Sequence, residues 1–177
     1  MRSIPLSNGR HIKLDEKLYV VNKQDKVIGK STYDKVHKDS LRHRTVHILL
    51  FNKEKTKLLI TQRSNIVTSA GKFTTSAGGH LRADENYKQA AIRELNEELH
   101  LKVDLIAIKK YQNDTRLNNK ENTTLFIGYI REDTIIVLNK EVQNAVWLPI
   151  KDVKNNTENY TKSLLNALNI YEFNIFK

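Results

Sequence analysis

The sequence predicts an α/β fold in which a mixed sheet lies between helices. Three observations predict it. Apolar segments of strand length come first, one charged amphipathic helix follows Asn86, and more strands and a final helix complete the chain. A length of 177 residues suits one domain with its own core. We take that domain as 1–177, with residues 1–40 as an N-terminal strand extension.

The elements are justified in order. Residues 18–21 and 27–30 read as short strands joined by a polar turn over 22–26. Residues 32–38 read as a helical turn. Residues 44–51 and 58–62 are apolar enough for two strands of a hairpin, with the polar stretch 52–56 as its turn. Residues 64–78, rich in Ser, Thr and Gly, form a loop that leads into the charged helix. Asn86 is suited to cap that helix. Ala91, Ile92, Leu95 and Leu99 form the stripe that packs on the sheet. Residues 103–111, 122–130 and 145–148 read as strands. Leu164, Leu165 and Leu168 give residues 161–170 helical periodicity.

Composition narrows the function. There is no cysteine, which excludes disulfides, thiolate metal sites and cysteine nucleophiles. No apolar run reaches the length of a bilayer span, and the N-terminus lacks a long apolar signal core, so a soluble cytoplasmic protein without membrane partners is expected. The net charge of +10 favours polyanionic ligands, although an overall abundance of Lys explains it as well. No basic run or RNA-binding motif marks a nucleic-acid groove, which makes nucleic acid a minor expectation. Homodimerisation is compatible with the sequence, which carries no signal for or against it.

Chemistry concentrates in residues 79–101. At about 100° per residue, Glu94, Glu97 and Glu98 fall within an arc of about 100° on one side of the helix. Like charges at i,i+4 cost a few tenths of a kcal/mol, a penalty that a bound divalent cation reverses. Hard oxygen ligands suit Mg²⁺, Mn²⁺ or Ca²⁺. Arg93 stands four residues before Glu97 and can pair with it. Gly78 and Gly79 suit a loop whose backbone approaches a ligand closely.

Gly79, Glu85, Arg93, Glu94, Leu95, Glu97, Glu98 and Leu101 resemble, in register, the signature box of the Nudix hydrolases, Gly-x5-Glu-x7-Arg-Glu-U-x-Glu-Glu-x-Gly-U, where U is aliphatic. His100 stands where the box has its second glycine, a position that ends the helix in a left-handed turn. The resemblance implies a Nudix-type α/β/α sandwich with a mixed central sheet, and hydrolysis of a diphosphate with Mg²⁺ as cofactor and Mn²⁺ as its alternative. It implies Glu97 and Glu98 as principal metal ligands, joined by the carbonyl of Gly78. Glu94 would ligate a second ion or orient the nucleophile. It ranks first as general base, ahead of Glu97. Glu85 and Arg93 would hold loop and helix in shape, with direct phosphate contact as the second role for Arg93. Arg63 resembles a strand-end arginine of the family, either touching phosphate or solvated, and Gly79 would lie against substrate. Many members of the family add an acid from beyond the box; Glu121, Glu132, Asp133 and Glu141 are the candidates here, each of which reads first as a surface acid. Trp147 reads as core packing.

The region before the box is similar to the isopentenyl-diphosphate isomerase branch of the same superfamily. Residues 27–29, His37, residues 43–52, residues 58–63 and residues 76–80 follow that branch's order. In it, histidines matching His43 and His80, and loosely His37, bind a metal with two glutamates. Here the three either keep such a site or serve as ordinary hydrogen-bonded side chains, and the incomplete acid set favours the latter. His47 is assigned no role. Gly78 occupies the place of the isomerase cysteine. Glu121 matches the first of two required acids, and Thr123 stands where the second would be. Moving a proton onto and off carbon needs both groups. The expected activity is therefore metal-dependent hydrolysis of a small-molecule, nucleoside-diphosphate-type substrate. The rival readings are a nucleotide sensor without turnover, an isomerase-like enzyme, and an enzyme acting on RNA ends. Specificity is expected in the loops 64–76 and 112–122.

Overall fold

A computed structural model describes residues 4–5, 11–12, 16–115, 119–155 and 157–175. Parts of the expected N-terminal extension (1–3, 6–10, 13–15) and of the specificity loop (116–118) lie outside the described residues. Two short strands, β1 (Ile4–Pro5) and β2 (His11–Ile12), pair antiparallel with each other. The main sheet contains β3 (Lys17–Val21), β4 (Val27–Thr32), β5 (His43–Asn52), β6 (Lys57–Arg63), β7 (Phe73–Thr74), β8 (Ala77–His80), β9 (Ile106–Gln112), β10 (Glu121–Ile130) and β11 (Val142–Pro149). Its central path runs β11-β6-β5-β10-β9, with β3, β7 and β8 attached at its flanks and β4 paired to β3. β5 and β10 are parallel and the other pairs antiparallel, so the sheet is mixed. The helices are α1 (Tyr33–Lys38), α2 (Tyr87–Leu99), α3 (Ile150–Asn155) and α4 (Lys162–Ile175).

Burial explains the layers. Every residue of β5 except Arg44 is buried, as expected of a central strand covered on both faces. Val46, Ile48 and Leu50 pack with Ala91, Leu95 and Leu99 of α2. Leu49 and Phe51 pack on the other face with Leu164, Ala167 and Leu168 of α4. This is the expected α/β/α order. No helix among the described residues is long and apolar enough to cross a membrane.

Three details refine the sequence reading. The contact face of α2 centres on Ala91 and Leu95 and takes in Ala90, which leaves Ile92 at its rim, 45% exposed. The strand expected over 103–111 starts at Ile106, because Val103 and Leu105 turn into the core beside α2 instead of pairing. The loop expected over 64–78 contains β7 and the start of β8. Its hydroxyls explain why a polar stretch can sit in a sheet: Ser76 Oγ donates to Leu59 O at 2.6 Å and accepts from Leu50 N–H at 2.7 Å.

The ends of α2 follow the sequence. Asn86 accepts from Gln89 N–H while the Gln89 side chain accepts from Asn86 N–H, a complete capping box. At the exit His100 takes the left-handed conformation, φ 53° and ψ 35°, in the place where glycine is the usual residue. Its ring contacts Val137 O at 2.9 Å, which holds the turn without a glycine.

Candidate active site

β8 brings the box to the sheet. In its antiparallel register with β5, Gly78 faces His47, Gly79 faces Val46 and His80 faces Thr45. The two glycines allow close approach. A Cβ on Gly78 would stand 2.6 Å from Val46 O, and one on Gly79 would stand 2.3 Å from Glu94 Oε1. The carboxylate of Glu94 therefore lies directly over the Gly79 backbone.

Arg93 is the centre of the box. Its Nε and Nη2 donate to the two Glu85 oxygens at 2.7 and 2.9 Å. Nη1 donates to Glu94 at 2.8 Å and Glu97 at 3.2 Å, and Nη2 also reaches His80 O at 2.9 Å. The expected pairing of Arg93 with Glu97 is present, and the guanidinium ties helix, loop and β8 together. Glu97 is also held by Arg82 at 3.0 Å, and Arg82 in turn binds Glu16 at 2.6 Å. Nothing in the spacing pointed to Arg82.

The remaining acids face a cavity of about 800 Å³. Glu94, Glu97, Glu98 and Glu141 line it together with Gly78 and Arg63. Burial pushes the Glu94 carboxyl up to about 7. Arg93 opposes the rise, and the charges of Glu97 and Glu141 add to it. Burial also pushes Glu98 well above the usual carboxylate range. Glu94 and Glu141 reinforce this, while Arg63 and the Gly78 N–H resist it. Buried carboxyl oxygens thus gather at one end of α2, where ionising them is costly unless a cation is bound. That donor set fits a hard divalent cation. Arg63 is half-buried, lines the cavity, and donates from Nε to Thr68 O at 2.5 Å.

Of the acids expected beyond the box, Glu141 joins the site. Glu132 instead pairs with Lys57 at 2.7 Å, and Asp133 with Arg131 at 2.7 Å, in exposed ion pairs. Glu121 is buried in another part of the cavity, where it accepts from Asn113 at 2.8 Å and Asn119 at 2.5 Å. Trp147 packs against the α2-side core.

The three histidines come together. One ring nitrogen from each of His37, His43 and His80 lies within 4.8 Å of the others. Nδ1 of His37 bonds Tyr33 O at 2.9 Å and Nδ1 of His43 bonds Leu41 O at 3.0 Å, leaving both Nε2 atoms as acceptors. His43 Nε2 is buried with no hydrogen-bond partner among the described residues. Burial lowers its pKa, which keeps the ring neutral and able to ligate. The three rings are thus hydrogen-bonded through Nδ1 in two cases and close enough together that they could also hold a metal ion.

His47, to which the sequence assigns no role, belongs to the site's surroundings. It lines the same cavity, is 9% exposed, and contacts Tyr111 Oη at 2.8 Å. The signal was available: His43, Thr45 and His47 place three polar residues on one face of an otherwise apolar strand.

Known proteins share the sequence pattern and the fold. Residues 41–167 match the family model described as "NUDIX domain". Isopentenyl-diphosphate Delta-isomerase 2 of Photorhabdus laumondii is 31% identical over 166 residues, covering 88% of this chain and 93% of that protein. The solved structure of DR0079 from Deinococcus radiodurans superposes with a TM-score of 0.73 at 21% identity, covering 87% of this chain and 98% of that one. The NUDIX domain of Shewanella oneidensis NrtR, solved with ADP ribose, superposes with a TM-score of 0.61 at 20% identity, covering 73% and 86% of the two chains.

Proposed function

The chain belongs to the Nudix family, and on that premise we propose that it is a divalent-metal-dependent hydrolase of a nucleoside-diphosphate-type substrate. The observation that carries this reading is the convergence of Glu94, Glu98 and Glu141 on one cavity beside the Gly78–Gly79 backbone. A cation bound there supplies charge neutralisation on the phosphoryl group and a more acidic water. Glu97, Glu98 and the Gly78 carbonyl are the residues that would hold it, with Mg²⁺ as the ion and Mn²⁺ as its substitute. Glu97 would exchange part of its pairing with Arg82 and Arg93 to do so.

Glu94 is the general base in this reading. Its carboxyl titrates near neutrality and lines the cavity beside Gly78 and Gly79. Arg93 and Glu85 fix the base and the loop. Arg63 neutralises substrate charge, and Lys72, Lys140 and Lys162 border the same cavity, as a polyanionic ligand requires.

One specific observation favours a second reading. An isomerase is similar over most of the chain, and the three histidines of that branch converge here. The acid–base pair tells against it. Gly78 has no side chain, and a Cβ there would strike the β5 backbone. Thr123, which does not titrate at neutral pH, bonds Thr45 at 2.7 Å in the second acid's place. The test is a panel of nucleotide sugars, dinucleotides, coenzyme A, nucleoside triphosphates and isopentenyl diphosphate, with Mg²⁺ or Mn²⁺. Both phosphate release and double-bond migration are scored. Metal-dependent phosphate release from a nucleoside-diphosphate compound is the expected result. Double-bond migration alone would replace the hydrolase by the isomerase. Saturable binding of a nucleotide with no product would replace it by a sensor.

A further inference from the structure

The reaction proposed above leaves His47 without a role, although its ring sits at the site. It lies against Gly78, with Cδ2 3.2 Å from where a Cβ on that glycine would stand. The hydrogen in its contact with Tyr111 can be placed. Tyr111 is half-buried, and His47 Nδ1 is the single hydrogen-bond partner of its Oη among the described residues. With Nδ1 as the one partner of Oη among the described residues, we place the phenol as donor and Nδ1 as acceptor, an assignment that the spectra below test. A ring that accepts at Nδ1 carries its own hydrogen on Nε2. That Nε2 has no partner among the described residues, and His47 borders the cavity.

We propose that His47 is a substrate-binding residue whose Nε2–H donates to an oxygen of the diphosphate compound, and that Tyr111 is the positioning residue that keeps that hydrogen on Nε2. The proposal rests on the reading of this cavity as a diphosphate site. The complementarity is chemical. A diphosphate presents acceptor oxygens and no donors at neutral pH, and the Gly78 carbonyl and the acids, ionised once they hold a cation, cannot donate to it. An uncharged N–H beside them meets an oxygen that the acids would otherwise repel. A ligand offering a donor at this point would find no acceptor on the ring.

The 177-residue chain labelled with ¹⁵N-histidine reports the ring directly. Two-dimensional ¹H–¹⁵N multiple-bond spectra of the ligand-free protein are expected to show His47 as the Nε2–H tautomer, and Tyr111→Phe to shift it toward a mixture. Titration with α,β-methylene-ADP and Mg²⁺ is expected to move the Nε2 signal. His47→Phe should weaken that binding roughly 10- to 100-fold, and His47→Gln, which keeps an N–H donor, should recover part of the loss. An Nδ1–H ring in the ligand-free wild type, or a His47 signal unmoved at the end of the titration, overturns the proposal. Should His47→Phe fail to fold, the Tyr111→Phe spectra and the wild-type titration decide. If the wild type hydrolyses no diphosphate in the panel, the hydrolase reading falls. The tautomer and the titration are measured without turnover and so keep the two outcomes apart.

Discussion

Glu98→Gln is expected to lower metal-dependent turnover by at least about 10²-fold, beyond what loss of an outer-shell partner costs, while raising the stability of the protein in EDTA. The opposite signs follow from one arrangement. Glu98 lies beside Glu94 and Glu141 and is penalised by burial, with Arg63 and a single backbone N–H in opposition. An amide spares the metal-free fold the cost of burying or protonating that carboxylate, and it removes a ligand as well. The gain should be about 1–2 kcal/mol, read by urea denaturation without metal. A Glu98→Gln protein that is destabilised in EDTA and keeps its turnover would show that this carboxylate is structural.

The same arrangement sets the pH dependence. In the folded, metal-free protein the Glu94 carboxyl is raised to about 7 from an ordinary value of 4.5. The folded state therefore binds more protons than the unfolded chain across that interval. Its contribution to stability is fully present below about 4.5 and is lost as pH rises through about 7. Metal-free protein should lose about 1–3 kcal/mol between pH 5 and pH 8 on this account, and saturating Mg²⁺ should flatten the slope. Denaturant melts at the two pH values, with and without the ion, measure both.

The sequence carried the box well because its spacing is local. One helix turn fixes the relation of Glu94, Glu97 and Glu98, and the Asn86 cap and His100 exit lie in the same segment. Contacts across the sheet were much less legible. Arg82 reaches Glu16 over 66 positions and Glu97 over 15, and no local pattern encodes such a pair. The histidines were visible as a set, but whether they meet depends on α1 folding onto β5 and β8. Glu141 could be told from Glu132 and Asp133 only by topology, since all three are acids in the same stretch. Ile92 was misplaced for a related reason. Periodicity gives the width of an apolar stripe, and the tilt of α2 on the sheet decides where its rim falls.

Arg93→Ala is expected to be the most destabilising change in the site, by about 3–5 kcal/mol, because it removes one partner of buried charges and leaves the rest. Glu85 loses a bidentate pair, Glu94 loses a cation that holds its pKa down, and the carbonyl of His80 loses a donor. Lysine should not rescue it, since a single ammonium cannot span Glu85, Glu94 and the β8 carbonyl as the planar guanidinium does. Glu85→Gln combined with Arg93→Ala should cost much less than the sum of the two single changes, because the pair is lost once. Denaturation of the four proteins closes the cycle. If Arg93→Ala unfolds within about 1 kcal/mol of the wild type while its turnover collapses, the guanidinium acts on the substrate and not on the architecture of the box.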